Sequence, residues 1–174
     1  CGQISLGHGA FVGVGAYACA WFCSVGLNFI PALVLGGLVS AVIGMFFGIP
    51  SLRLKGIYLA IATLAAQLIL EYVFLHWDAV THGSTGMAVM RPELFGFSFD
   101  SDSSYFYLTL FFAVLCVYLA SNLLRTKPGR AWIAIRDYYL SAEIVGVNLF
   151  SYKLQAFAVS SFMAGVAGGL WAFN

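Results

Sequence analysis

The sequence predicts an all-α protein, a polytopic bundle of transmembrane helices. Hydrophobic residues make up 61% of its 174 residues, charged residues make up only 9%, and the mean hydropathy is +0.92. A soluble domain has roughly 25% charged residues, so this chain could not cover its apolar surface in water. The apolar residues also fall into about five long segments, and about 20 such residues span a bilayer. The lipid bilayer is therefore the expected surrounding of the chain.

The five hydrophobic segments are residues 2–27, 31–49, 56–77, 105–124 and 154–173. The first, second and fifth are rich in Gly, Ala and Ser, and such small residues let membrane helices approach closely. We expect a single transmembrane domain over residues 1–174, with no soluble domain and no internal repeat. The chain lacks an initiator Met and ends as the fifth segment finishes, so we interpret it as a fragment of a longer protein.

Three polar residues inside the apolar segments are candidates for a functional or structural role. His8 lies near the start of the first segment, and Gln67 and Glu71 lie four residues apart on one face of the third. A carboxylate within a span is costly unless it faces protein, water or the headgroups. Two interpretations stay open for each residue: it lines a pathway, or it has a structural role as a hydrogen-bond partner between helices, to which Glu71 adds contact with the headgroups near the end of its span. We favour the second.

The charges of the connecting segments predict the orientation of the chain. Residues 78–104 contain four acidic residues and one basic residue, Arg91. Basic residues concentrate instead at Arg53 and Lys55 and within residues 125–153. Cytoplasmic loops of membrane proteins are enriched in Lys and Arg. We therefore expect residues 78–104 outside the cytoplasm and the two basic stretches inside it.

Several classes of function find no support in the composition. The four cysteines show no metal-ligand spacing, and no GxxxxGK[ST] phosphate loop is present. We expect no catalytic residue, no metal site and no cofactor in this chain. The net charge of +1 gives no argument for nucleic-acid binding, and no such partner is expected.

The polar interval of residues 125–153 separates the fourth and fifth segments. It carries five basic residues: Arg125, Lys127, Arg130, Arg136 and Lys153. Its apolar residues keep a helical spacing: Ala131, Ile135, Ala142 and Val145. Pro128-Gly129 can end one helix and start another, and Ser141 can cap a second short helix that closes near Gly146, with Glu143 in its first turn. This pattern predicts two short helices outside the bilayer with an apolar face for docking. A solvated loop whose charges only fix topology is the alternative.

Three motifs of the sequence resemble the branched-chain amino acid permease family of ABC importers (LivM-like). Residues 2–11, GQISLGHGAF, resemble the family signature GxxSLGHxAF, and residues 81–86 resemble its Gly-rich turn. The interval 125–153 resembles the family's cytoplasmic coupling loop through Gly129-Arg130-Ala131, Ala134-Ile135-Arg136-Asp137, Ala142-Glu143 and Gly146-Val147-Asn148. The motifs occur in the family's order and cover essentially the whole chain.

The resemblance implies a permease subunit, not an enzyme, in the bacterial inner membrane. It would import branched-chain amino acids or a similar small polar solute, while separate ATP-binding cassette subunits hydrolyse ATP. A second permease subunit and a periplasmic substrate-binding protein are the other implied partners. The coupling loop would fit a cleft of the ATP-binding subunit through Gly129, Arg130, Ala134, Arg136, Asp137, Ala142, Glu143 and Gly146.

Two other functions stay open. A related permease for urea, amides or sugars would share the fold. A channel or secondary transporter would need no docking loop and often carries charged residues within its spans, for which only Glu71 is a candidate.

Overall fold

The computed structural model describes residues 1–51, 54, 56–77, 93–94, 97–98 and 102–173. In these residues the chain is an all-α helical bundle, as the sequence predicted. Its helices are α1 (His8–Ser24), α2 (Phe29–Ser51), α3 (Ile57–His76), α4 (Asp102–Arg125), α5 (Lys127–Asp137), α6 (Tyr139–Ile144) and α7 (Leu149–Trp171). Two-residue strands β1 (Glu93–Leu94) and β2 (Phe97–Ser98) pair antiparallel between α3 and α4. The predicted positions of Arg53 and Lys55, the Gly-rich turn at 81–86 and most of the acidic connector lie outside the described residues.

Four of the described helices are long and apolar enough to cross a membrane: Phe29–Pro50, Ile57–His76, Ser103–Arg125 and Leu149–Trp171. They correspond to the last four predicted segments. The fifth span begins at Leu149, earlier than predicted, because the Asn148 side chain accepts a hydrogen bond from the Ser151 N–H (3.1 Å) and caps the helix there. The first predicted segment is helical only from His8, so α1 is about 25 Å long.

The core of the bundle consists of α1, α2 and α7, which pack against one another more extensively than any other helices. Small residues allow this packing: a Cβ atom added at Gly15 would overlap the backbone of Gly165. The buried Ser40 hydroxyl of α2 lies 2.9 Å from the carbonyl oxygens of both Phe11 and Ser161, and so bridges α1 and α7. The close approach predicted from the small residues is confirmed.

The remaining long helices pack on this core from two sides. Helix α3 lies against α1, where Phe74 contacts Tyr17 with ring centroids 5.1 Å apart. Helix α4 meets α7 near the start of α4, where the Tyr105 hydroxyl donates to the Leu170 carbonyl. Tyr105 is the one buried residue among residues 103–125. Most of α4 therefore presents its side chains away from the bundle.

Candidate coupling site

The turn between α4 and α5 is held by backbone contacts. Thr126 precedes α5, and its backbone N–H and its hydroxyl both donate to the Leu123 carbonyl, at 3.1 and 2.6 Å. Pro128 lies in the first turn of α5, where its missing N–H leaves no helical hydrogen bond unmade. Gly129 is buried against the last turn of α4, and a Cβ atom there would overlap the Leu123 and Leu124 carbonyls. Only glycine allows α5 to approach the last turn of α4 this closely.

The buried face of α5 fixes the helix to the last span. Trp132 and Ile135 are 8% and 3% exposed, and the Trp132 indole Nε1 donates to the Tyr152 carbonyl of α7 at 2.9 Å. The helical spacing of Ala131 and Ile135 predicts this face without Trp132. The signal was present, because Gly129, Trp132 and Ile135 repeat every three residues.

The other predicted residues of α5 lie on its exposed side. Arg130 and Ala134 are exposed and four residues apart, so they share one face. The Arg136 Nε and the Asp137 Oδ1 are 2.9 Å apart, and the two side chains are 60% and 46% exposed. An ion pair this exposed contributes little to stability. Its charges remain accessible to a partner.

Helix α6 begins earlier than predicted. Tyr138 precedes it, and the Tyr138 carbonyl accepts a hydrogen bond from the Ala142 N–H at 3.1 Å. The prediction that Ser141 caps this helix is wrong, because only one residue separates α6 from the end of α5. Ser141 therefore already lies inside the helix.

The position predicted for Glu143 is also wrong. Glu143 is the penultimate residue of α6 and does not lie in its first turn. A carboxylate at the carboxyl end of a helix is unfavourable for the helix dipole. The dipole therefore gives no reason for an acidic residue here. The side chain is exposed, so its charge is available to a partner.

Gly146 closes α6, as predicted. Its N–H donates to the Glu143 carbonyl and the Val147 N–H donates to the Ala142 carbonyl, both at 3.0 Å. These two bonds form a Schellman motif, which needs a left-handed residue at its centre. Gly146 supplies it with φ of +90°. The chain then turns directly into α7.

Four large side chains around α6 are exposed. They are Tyr138 (76%), Leu140 (58%), Ile144 (85%) and Val145 (82%), and we call them the α6 surface. Ala142, in contrast, is only 6% exposed. The predicted pairing of Ala142 and Val145 on one apolar face is therefore wrong, since one is buried and the other exposed. An exposed group of large apolar side chains typically marks an interaction site.

His8 connects the start of α1 to the middle of α7. Its Nε2 lies 3.1 Å from the Ser160 hydroxyl, and its Nδ1 lies 2.8 Å from the Ser5 hydroxyl. Ser160 donates its own proton to the Phe157 carbonyl at 3.0 Å, so it accepts from His8. This assigns the imidazole proton to Nε2 and leaves Nδ1 to accept from Ser5.

Gln67 and Glu71 have different surroundings. Gln67 is half-buried beside Gly9, where an added Cβ atom would lie 3.6 Å from the amide nitrogen and oxygen of Gln67. Glu71 is exposed one turn further along α3, and within the described part of the chain its carboxylate has no hydrogen-bond or ion-pair partner. The structure thus places His8 and Gln67 near the start of α1 and leaves Glu71 apart from them.

Comparison with known proteins identifies the family. The family described as "Branched-chain amino acid transport system / permease component" matches residues 1–174. The high-affinity branched-chain amino acid transport system permease protein LivM of Salmonella typhimurium is 36% identical over 196 residues, which cover 98% of this chain and 46% of that protein. LivM of Escherichia coli is 34% identical with the same coverage.

A more distant relative is the probable branched-chain amino acid transport permease protein LivM of Methanocaldococcus jannaschii. It is 25% identical over 144 residues, covering 82% of this chain and 41% of that protein. No solved structure matches the chain. The chain thus spans less than half the length of these relatives, although the family match covers all of it. It belongs to the branched-chain amino acid transport system permease family.

Proposed function

We propose that the chain is part of the membrane-spanning subunit of an ATP-driven importer in the bacterial inner membrane. Its solute is a branched-chain amino acid or a similar small polar molecule, as the names of its relatives suggest. The observation that carries the coupling role is the α6 surface, four large apolar side chains exposed beyond the last turn of a span. Separate ATP-binding cassette subunits dock there from the cytoplasm. A second permease subunit and a periplasmic substrate-binding protein complete the assembly.

The attachment of α5 makes the α6 surface suitable for transmitting movement. Gly129 packs against the last turn of α4, and Trp132 bonds to the backbone of α7. A force applied to α6 therefore reaches two spans through close contacts and not through a long linker. A docking segment joined to the spans by a flexible linker could not transmit a small displacement.

The α6 surface also carries the chemistry that a protein cleft recognises. Burial of a large aliphatic side chain contributes about 1.5–3 kcal/mol, so Ile144 and Val145 together can contribute about 3–6 kcal/mol to docking. The exposed Arg130, Glu143 and the Arg136–Asp137 pair on α5 and α6 add charges of both signs. Such charges select a partner and its orientation more than they add affinity.

The function is tested by transport in a defined system. The full-length permease, its ATP-binding subunits and its binding protein are reconstituted in proteoliposomes, and uptake of labelled leucine, urea and ribose is measured. We expect leucine uptake that requires ATP. Uptake of urea or ribose without leucine would contradict the proposed solute. Leucine flux that continues without ATP would contradict an ATP-driven importer and favour a channel.

A further inference from the structure

The chain before α1 enters the bundle without forming a helix. The Leu6 N–H donates to the Thr63 hydroxyl at 3.1 Å, and His8 contacts Ser160. Thr63 is the seventh residue of α3 and Ser160 is the twelfth of α7, so they lie about 9 and 16 Å from the starts of these spans. At the beginning of this stretch, Gly2 lies against the side chain of Arg136 in α5. Residues 2–7 therefore run from the α5 side into the depth of the membrane-spanning region.

The exposure of this segment alternates from residue to residue. Gln3 and Ser5 are half-buried and Gly7 is buried, whereas Ile4 is 61% and Leu6 is 57% exposed. A period of two is that of an extended chain, in which successive side chains point to opposite sides. One edge of the segment therefore packs between α3 and α7, and the other edge is open.

The backbone of the segment is largely unpaired. The peptide groups of residues 3–5 form no hydrogen bond with any part of the chain that the structure describes. Such groups cannot face hydrocarbon, because nothing there can accept or donate a hydrogen bond. Non-helical backbone at membrane depth occurs only where it is buried in protein or lines a water-filled cavity. Ile4 and Leu6 are exposed, so the segment is not buried by the part of the chain that the structure describes.

We propose that residues 3–7 line the water-filled passage and contact the amino acid as it crosses. This inference rests on the proposed function and names the part of the chain that meets the solute. Peptide N–H and C=O groups that have no partner among the described residues suit the carboxylate and ammonium groups of an amino acid. The exposed side chains of Ile4 and Leu6 offer an apolar surface to a branched aliphatic side chain. Solute sites commonly combine an apolar lining with a few polar groups in this way.

The test is the reactivity of single cysteines in the assembled transporter. Ile4→Cys and Leu6→Cys are made in a full-length protein without native cysteines, and a third variant, Val42→Cys, serves as the control. Val42 is 59% exposed, matching both positions, but lies within the continuous helix α2. The probe is a positively charged methanethiosulfonate, which reacts with a thiolate, and a thiol in an apolar environment does not ionise readily. Rates are measured in proteoliposomes with and without leucine.

We expect both cysteines to react at least tenfold faster than Val42→Cys, and leucine to slow these reactions at least threefold. Rates like that of Val42→Cys would overturn the inference, because the segment would then face lipid or protein. Fast reactions that leucine does not slow would overturn the contact with solute. Leucine uptake by the cysteine-free parent distinguishes failure of this inference from failure of the proposed function. A parent that takes up leucine while both cysteines stay unreactive refutes only this inference, and a parent without uptake refutes the proposed function.

Discussion

The indole Nε1 of Trp132 lies 2.9 Å from the backbone carbonyl oxygen of Tyr152 and donates a hydrogen bond to it. This bond joins the short helix α5 to the last span, 20 residues further along the chain. Together with the packing of Gly129 on α4, it makes α5 a rigid base for the α6 surface. The proposed coupling of ATP-binding subunits to the spans depends on that rigidity.

Replacing Trp132 with Phe tests whether the indole hydrogen bond fixes α5 to the last span. Trp132→Phe keeps an aromatic ring but removes the donor, and one hydrogen bond contributes about 1 kcal/mol. We therefore expect hydrogen exchange of the α5 amides to become roughly fivefold faster. Trp171→Phe is the matched control, because Trp171 is 70% exposed at the far end of α7. Unchanged exchange in Trp132→Phe would show that other contacts hold α5.

Gly146 offers a test of the turn between α6 and α7. Its φ of +90° disfavours any residue with a Cβ atom, by roughly 1–2 kcal/mol for most residues and more for a β-branched one. We expect Gly146→Val to reduce leucine uptake several-fold at normal membrane levels. Gly146→Asn should retain most of the uptake, since Asn tolerates the left-handed region. Equal uptake by the two variants would contradict a conformational role for Gly146.

A substitution at Glu143 distinguishes an effect on contact with a partner from an effect on helix stability. Because Glu143 lies at the carboxyl end of α6, Glu143→Lys should not destabilise the helix, and its charge even suits the dipole there. We expect this variant to bind the ATP-binding subunit at least fivefold more weakly, through repulsion of a basic partner. Binding is measured by titration in detergent at low and physiological salt. An effect that is the same at both salt concentrations would argue against an electrostatic contact.

Glu71 is expected to be dispensable for transport. Its carboxylate is exposed and has no partner among the described residues. Glu71→Gln removes the charge and keeps the shape, so leucine uptake should stay within about twofold of the unmodified protein, because no ion pair among the described residues is lost. A loss of uptake at normal membrane levels and normal assembly would instead assign Glu71 to the pathway.

The long spans could be predicted from the sequence because the bilayer imposes a minimum apolar length on each of them. The positions of Gly129 and Gly146 were also recognisable, since a close approach and a left-handed turn both require glycine. These signals are local. They depend on neighbouring residues in the chain and not on the packing of distant helices.

The features that the sequence did not predict depend on distant contacts. Residues 2–7 belong to the first predicted segment, but α1 begins only at His8 and the Leu6 N–H bonds to the Thr63 hydroxyl instead. The start of α6 depends on where α5 ends, so Ser141 could not be excluded as a cap beforehand. Trp132 follows the three-residue spacing of Gly129 and Ile135, but its hydrogen bond to the Tyr152 carbonyl is a distant contact that no local pattern indicates.

Docking at the α6 surface is measured most directly by the amount of ATP-binding subunit that co-purifies with the full-length permease in detergent. Ile144→Glu places a charge in the middle of the α6 surface, and Val25→Glu makes the same kind of change at an exposed residue (62%) beyond the end of α1. A buried aliphatic side chain of this size contributes about 1.5–3 kcal/mol, so we expect a loss of at least roughly tenfold for Ile144→Glu. Val25→Glu should co-purify normally. Equal recovery of the ATP-binding subunit with both variants would contradict docking at the α6 surface.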